Sequence, residues 1–355
     1  MAEPNPPPPP PPVGEGRGGG APLPASPRHG RGEGENSSIL VYVGLDAVGD
    51  GLIKLPFLRS LRAAFPQARI TWMAGKGHTV FAGILAPLVA GLVDEVLDDA
   101  GIGSRVSELF ANPLPSRRFD LIIDTQRRLL TTLILRRIRH GRFISAAAGF
   151  RLSAARPADH RRPASLAKQM TVLLDLAAPH RPRDMAPLPH DAGVEAEADR
   201  LLPAGPCYVG LAPGAGGKHK CWPLERFCEL GNTLARRGMT PVVLLGPAEA
   251  DWIEPVRRLL PGALLPLQEA AAPSPMLTIA LARRMACALA NDSGTGHMLA
   301  CGDIPLVSLF GPTPPEKFAP NAQRLTVVRA QDYGGSDMAT IPVAAVERAI
   351  TECLL

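Results

Sequence analysis

Aromatic residues make up only 5% of this 355-residue chain, and its basic residues come with no interleaved stacking pattern and no recognised binding motif. That scarcity argues against a nucleic-acid partner. Cysteine is sparse too: Cys207, Cys221, Cys228, Cys287, Cys301 and Cys353 are scattered without a CxxC pair or clustered histidines. Neither a zinc site nor a disulfide framework is indicated, so reduced, mostly buried thiols are expected. Long apolar runs are missing as well. The stretch from Phe81 to Val93 is broken by Pro87 and two glycines, and it falls short of the roughly 20 residues a membrane span requires. Near the N-terminus the prolines from Pro4 to Pro12 stand where a secretory signal carries its apolar core. These absences leave a cytosolic protein as the expectation.

What is present divides unevenly along the chain. Residues 1–36 hold the run from Pro6 to Pro12 and then Gly- and Arg-rich sequence, with almost no large apolar side chain. Such a segment cannot bury enough surface to offset its ordering entropy and is expected to be a disordered tail. The whole chain is 46% hydrophobic and 20% charged, a composition and size that suit two buried cores in the remainder. The net charge of +5 is also uneven: Arg117 to Arg183 holds fifteen Lys or Arg against four Asp. A clustered positive field attracts phosphate or carboxylate, although a solvated helix surface has the same composition.

From Ser38 onward short β-branched runs alternate with amphipathic stretches, the rhythm of a parallel sheet with crossover helices. Ile39–Val43, Arg69–Met73 and Phe119–Asp124 read as strands, Leu52–Phe65 as a helix, and a helical region is expected after His78. The basic stretch Gln126–His140 has helical spacing. Prolines then multiply, and the alternation restarts with strands at Cys207–Ala212, Pro241–Leu245, Leu264–Leu267, Cys287–Ala290 and Ile304–Phe310. The fold class is therefore α/β, with a first doubly wound domain over 37–185, a connection over 186–205 and a second domain over 206–355. No internal sequence repeat is evident.

Three segments carry candidate chemistry. The turn GLDAVGDG, Gly44–Gly51, follows the first strand and leads into a helix. Asp46 sits where a dinucleotide turn needs its second glycine, and Asp50 follows Gly49 where a P-loop needs lysine. Asp50 would repel phosphate but could take a proton from a hydroxyl; it could equally be a plain helix N-cap. The loop APGAGGKHKCWPLERF, Ala212–Phe227, offers backbone N–H groups to an anion, and Lys218 or Lys220 could neutralise a diphosphate. A flexible surface loop would read the same way. In the third, Asn291–Pro315, Ser293, Gly294, Thr295 and Gly296 follow a strand and open a helix. His297 could bind phosphate or pack within the helix.

Taken together and in this order, these segments resemble glycosyltransferase family 9, the bacterial ADP-heptose:lipopolysaccharide heptosyltransferases. The resemblance runs from about Ile39 to the C-terminus and is carried by LDAVGDGLIKLPFLRSLRAAFPQARI, by APGAGGKHKCWPLERFCEL with LLGPAE, and by NDSGTGHMLA with LFGPTPP. It implies the GT-B arrangement of two Rossmann-like domains facing a central cleft, and inverting transfer without a metal or other cofactor. It further implies a nucleoside-diphosphate sugar donor, ADP-heptose, and an anionic lipid-linked oligosaccharide acceptor. By position, Asp50 matches the proposed general base, Lys220 the lysine that contacts the donor diphosphate, and Glu249 a donor-site residue. Asp292, Ser293, Gly294, Thr295 and His297 match the donor loop, with Asp292 orienting the loop or a sugar hydroxyl rather than touching phosphate. Arg127, Arg128, Arg136, Arg137 and Arg139 are expected on the acceptor side, where peripheral contact with the inner face of the membrane would bring them near the lipid-linked substrate. Two features depart from the family pattern: the proline-rich leader, and CGDIP after the donor loop where members have a more apolar run. Other readings stay open at this point: another sugar, a protein acceptor, a nucleotide-sugar epimerase or a catalytically silent relative.

Overall fold

The computed structural model describes residues 37–159, 162–179 and 184–355, so the reading of 1–36 as a disordered tail lies outside the described residues. The chain first builds β1 (Ser38–Val43), α1 (Val48–Ala64), β2 (Arg69–Ala74), β3 (Glu95–Leu97), β4 (Arg118–Asp124), α2 (Leu129–Leu135), β5 (Arg139–Ser145) and α3 (Leu166–Ala177). The five strands are parallel in the order β3-β2-β1-β4-β5. Parallel sheets covered on both faces need apolar side chains on both, and β1 meets that demand residue by residue. Ile39, Val41 and Val43 join the core under α1 and α3, while Leu40 and Tyr42 enter the opposite core with Ile134 and Leu135 of α2.

The second half builds α4 (Ala192–Leu201), β6 (Tyr208–Ala212), α5 (Leu224–Arg236), β7 (Thr240–Val243), α6 (Ile253–Leu259), α7 (Pro266–Glu269), α8 (Pro275–Ala282), β8 (Cys287–Asn291), α9 (Gly294–Ala300), β9 (Leu306–Phe310), α10 (Pro315–Phe318), β10 (Leu325–Arg329) and α11 (Val343–Cys353). Its parallel sheet runs β10-β9-β8-β6-β7. Ile279 of α8 is buried in the core under α1, with Met298 of α9 and Cys301 just after it packed against that core, so the two halves share one apolar seam.

Several elements differ from the sequence reading. The helix expected over Gln126–His140 ends at Leu135, and Arg139 and His140 open the edge strand β5. Leu264 makes only a single bridge to Val242 before Pro266 starts α7, so Leu264–Leu267 is not a strand. The region after His78 forms two short 3-10 turns, Val80–Ala82 and Ala86–Val89. The stretch 186–205 contains α4, which packs against α8.

Candidate active site

Each sheet reverses its strand order once, between β1 and β4 in the first and between β6 and β8 in the second. Open α/β sheets bind ligands in the crevice outside the carboxyl ends of the strands at such points. All three segments singled out in the sequence leave the carboxyl ends of these strands: Gly44–Gly51 follows β1, the glycine-rich loop follows β6, and Asp292–Gly294 follows β8.

The first turn is clamped from beneath. Asp46 is buried and forms an ion pair with the buried Lys54 of α1. Its other oxygen accepts hydrogen bonds from Thr79 Oγ1 at 2.9 Å and Trp72 Nε1 at 3.3 Å. Gly51 lies so close to Val80 that an added Cβ would sit 2.5 Å from Cγ2, which ties the start of α1 to the neighbouring turn. Ala47 takes the N-cap position without any side-chain cap, so Asp50 is the third residue of α1 rather than its cap. Its half-buried carboxylate has no hydrogen bond or ion pair with the described residues. The position suits an anion, since a carboxylate in the first helical turn is favoured by the unpaired N–H groups there.

The segments after β6 and β8 are stitched together by two residues. Asn291, fully buried at the end of β8, accepts from Trp222 N–H at 3.1 Å and donates to the Pro213 carbonyl at 2.7 Å. Asp292 Oδ2 lies 2.9 Å from Lys220 Nζ and accepts from Thr313 Oγ1 at 2.7 Å. Lys220 thus stands on the glycine-rich loop with its ammonium turned toward the segment after β8. Trp222 itself is fully buried against Phe227 and donates to the Ile341 carbonyl, which makes it an anchor for the loop.

Ser293 caps α9 by accepting from Gly296 N–H at 3.2 Å, which leaves the N–H groups of Gly294 and Thr295 without intrahelical acceptors. His297, one turn on, is buried, and that burial pulls its pKa down to about 4, partly offset by Asp292. It is neutral at physiological pH and brings an N–H rather than a charge. Glu249 Oε2 accepts from Gly246 N–H at 2.9 Å, and a Cβ on Gly214 would collide with Oε1. Glycine at this position lets the loop after β6 pass beneath the carboxylate where Glu249 now stands.

The two sides meet. A Cβ built on Gly294 would lie 3.5 Å from Cγ1 of Val48, two residues before Asp50. A cavity of about 360 Å³ opens at the next residue, Thr295, lined also by Leu245, Pro247, Ser274 and Met298 from the second half and Ile84 from the first. Among the described residues no group of three or more His, Cys, Asp or Glu could hold a metal ion.

The five candidate acceptor arginines are all exposed, and the structure divides them. Arg127 and Arg128 follow β4 at the carboxyl edge, the same edge as the Gly44–Gly51 turn. Arg139 pairs in register with Arg118 at the opposite end of β4, roughly 20 Å away at about 3.3 Å per residue. Arg136 and Arg137 lie just before it, and Arg136 donates to the Leu152 carbonyl at 2.6 Å. Arg127 instead lines a cavity of about 390 Å³ together with Arg151, Arg156 and Arg162. One wall of that cavity carries three successive residues in the left-handed region, Ala148, Gly149 and Phe150. For the two that are not glycine this costs roughly 1–2 kcal/mol each.

Residues 109–340 match the model of glycosyltransferase family 9 (heptosyltransferase), a span of well over half the chain. The chain belongs to glycosyltransferase family 9. Lipopolysaccharide heptosyltransferase 1 of Pseudomonas aeruginosa is 28% identical over 299 residues, covering 78% of this chain and 79% of that one. Lipooligosaccharide heptosyltransferase 2 of Haemophilus influenzae is 32% identical over 125 residues, and there the match spans only about a third of either protein, 34% of this chain and 36% of the relative. Among solved structures, a family 9 glycosyl transferase from Veillonella parvula superposes with a TM-score of 0.68 at 20% identity, covering 91% of this chain and 98% of that one. The ADP-heptose lps heptosyltransferase II of E. coli superposes with a TM-score of 0.62, also at 20% identity, over 89% and 98%. These superpositions establish the GT-B fold of the family.

Asn291 and Thr313 were not singled out by sequence reasoning, although both lie inside the segment that was. A buried amide that satisfies two loops and a hydroxyl shared with a carboxylate leave no trace in spacing. The cationic cavity was equally hidden, because its four arginines are spread over 35 positions and only the fold gathers them.

Proposed function

We propose that this family 9 enzyme moves a heptose from ADP-heptose to the core oligosaccharide of lipopolysaccharide, inverting the anomeric centre and using no metal ion. The observation that carries the proposal is the packing of α1 against α9, with Val48 beside Gly294, which sets the turn holding Asp50 next to the segment holding Asp292 and His297, to which Lys220 is joined through Asp292.

In this reading the acceptor hydroxyl attacks the anomeric carbon while Asp50 takes its proton. The bond from that carbon to the diphosphate breaks, and the electron pair leaves on the terminal phosphate oxygen of ADP. A carboxylate without internal partners is suited to the first role, worth typically about 10²–10⁴-fold as a general base. Lys220, the exposed Lys218 and the free N–H groups of Gly294 and Thr295 would stabilise the departing charge. Asp292 would act by aiming Lys220, and Glu249 by shaping the loop under the donor. The apolar cavity beside Thr295 has the size and lining for a nucleoside. The cavity ringed by Arg127, Arg151, Arg156 and Arg162 would receive the anionic part of the acceptor.

Incubation of the protein with a panel of nucleotide-sugars and truncated core lipids tests the reading, following nucleoside diphosphate release, product mass and the configuration of the new linkage. ADP-heptose is expected to be the preferred donor, with inversion and with turnover unchanged in EDTA. Preference for a different nucleotide-sugar, retention of configuration or a strict requirement for added magnesium would overturn it.

A further inference from the structure

Four large apolar side chains stand in solvent on two adjoining elements of the first half: Val106 and Phe110 on a 3-10 turn over Val106–Phe110, and Leu129 and Leu133 on α2. Their exposures are 63%, 81%, 52% and 37%. The two elements pack against one another through residues that face inward, Leu109 on the turn and Leu130 and Ile134 on α2. Leu129 and Leu133, four apart, share the outward face of the helix. Single exposed apolar residues are ordinary, whereas four on two elements that pack against one another mark a surface that meets something.

The charge around the group says what it meets. Arg105 precedes Val106, Arg127 and Arg128 precede Leu129, and Arg136 and Arg137 follow Leu135; all five are exposed. The only acid within these two segments, Glu108, is occupied, its Oε2 accepting from Gly103 N–H at 2.6 Å and Ser104 N–H at 3.2 Å. An apolar centre with a cationic border fits a bilayer surface of anionic lipid, where apolar side chains enter the headgroup boundary and arginines meet phosphate. The face is also continuous with the cationic cavity, since Arg127 lines the cavity while Arg128 and Leu129 begin the face.

We propose that the turn Val106–Phe110 and helix α2 form a docking surface for anionic membrane. The inference rests on this face and not on the transfer reading. No helix among the described residues is long and apolar enough to cross a membrane, so the contact would be peripheral.

Flotation of the full chain with lipid vesicles tests it, comparing phosphatidylcholine alone with phosphatidylcholine containing phosphatidylglycerol. Wild type is expected to float with the phosphatidylglycerol vesicles and to be released by salt. F110S/L129S is expected to lose binding about tenfold or more. L259S, at an exposed apolar residue elsewhere, is expected to bind as wild type. Thermal melting of each variant separates loss of binding from loss of fold, and transfer to a soluble, delipidated acceptor is expected to be retained in F110S/L129S. Absence of wild-type flotation with anionic vesicles, or equal flotation of F110S/L129S, would overturn the proposal. So would a dimer in sedimentation equilibrium that F110S/L129S converts to monomer, since the face would then belong to a second copy of the chain.

Discussion

Lys220 and Asp292, 72 residues apart in the sequence, meet with Nζ 2.9 Å from Oδ2, and that oxygen also takes the hydroxyl of Thr313. The lysine is partly buried yet not locked: an incoming diphosphate would compete with one carboxylate oxygen already shared with a second donor. Lys220→Ala is expected to weaken ADP binding by about 1.5–3 kcal/mol, the range for a charge-assisted contact. Asp292→Asn should leave the lysine charged but unaimed, lowering turnover more than ADP affinity. Calorimetry with ADP and steady-state kinetics on both variants check this, and unchanged ADP affinity in Lys220→Ala would remove that residue from the donor site.

Asp50→Asn keeps the shape of the side chain and loses its capacity to accept a proton. Turnover should fall by about 10²–10⁴-fold while ADP affinity stays near wild type. Because Asp50 makes no bond that holds the turn together, its replacement should cost only the small charge–dipole term of the first helical turn, about 0.3–1 kcal/mol, and lower the melting temperature little. Asp46→Asn, beneath it, should lower it more by stranding the buried Lys54. The pair of variants therefore separates chemistry from support.

The division of the arginines sets a different expectation for the acceptor. Arg127→Gln should raise KM for a soluble truncated acceptor, and that KM in wild type should rise with salt, since attraction between exposed charges is screened over about 8 Å at physiological ionic strength. A triple replacement of Arg136, Arg137 and Arg139 by glutamine should change it little, because Arg139 lies at the far end of β4. Kinetics from low to high salt in the three proteins give the comparison. A triple variant that mimics high salt while Arg127→Gln does not would reverse the assignment.

Two buried groups tilt stability in opposite directions with pH. His297 has a folded pKa of about 4 against 6.5 for the free side chain. As pH falls through 6.5 the unfolded chain gains a proton that the folded one refuses, so stability drops until about pH 4, by about 3 kcal/mol in all. Asp124 is raised to about 6 by burial, which outweighs hydrogen bonds from Thr132, Ser145 and the Gln126 N–H. Its contribution is present below the ordinary value of 3.8 and is lost as pH rises to about 6. His297→Gln should therefore flatten the acid-side loss in melting temperature, and Asp124→Asn should steepen it. Parallel melting curves for all three proteins from pH 4 to 8 would contradict both placements.

The strands that sequence reasoning missed, β3, β5 and β10, are all sheet edges. An edge strand has a neighbour on one side only and need not be apolar throughout, so β5 could open with Arg139, His140 and Gly141 and pass for the end of a basic helix. Interior strands such as β1, β6 and β8 are buried along nearly their whole length and stand out as β-branched or small apolar runs. For the candidate site, the place of Asp50 and Lys220 at the carboxyl ends of β1 and β6 was legible from the order of loops and strands. What they touch was not. The shared hydrogen bonds of Asn291 and Asp292 join residues separated by 21 to 78 positions, and only the packed halves bring them within reach.

The two sheets are also out of step with each other. Laying β6 on β1 pairs β7 with β2, β8 with β4 and β9 with β5, which leaves β3 and β10 without counterparts at opposite edges. The third strand of one half therefore answers to no strand of the other, and the fourth of one answers to the third of the other. A self-alignment of the chain would lose its frame after two strands, however similar the architectures look. Any hybrid made by exchanging pieces between the halves would have to be cut after the second strand, on the side where β3 has no equivalent.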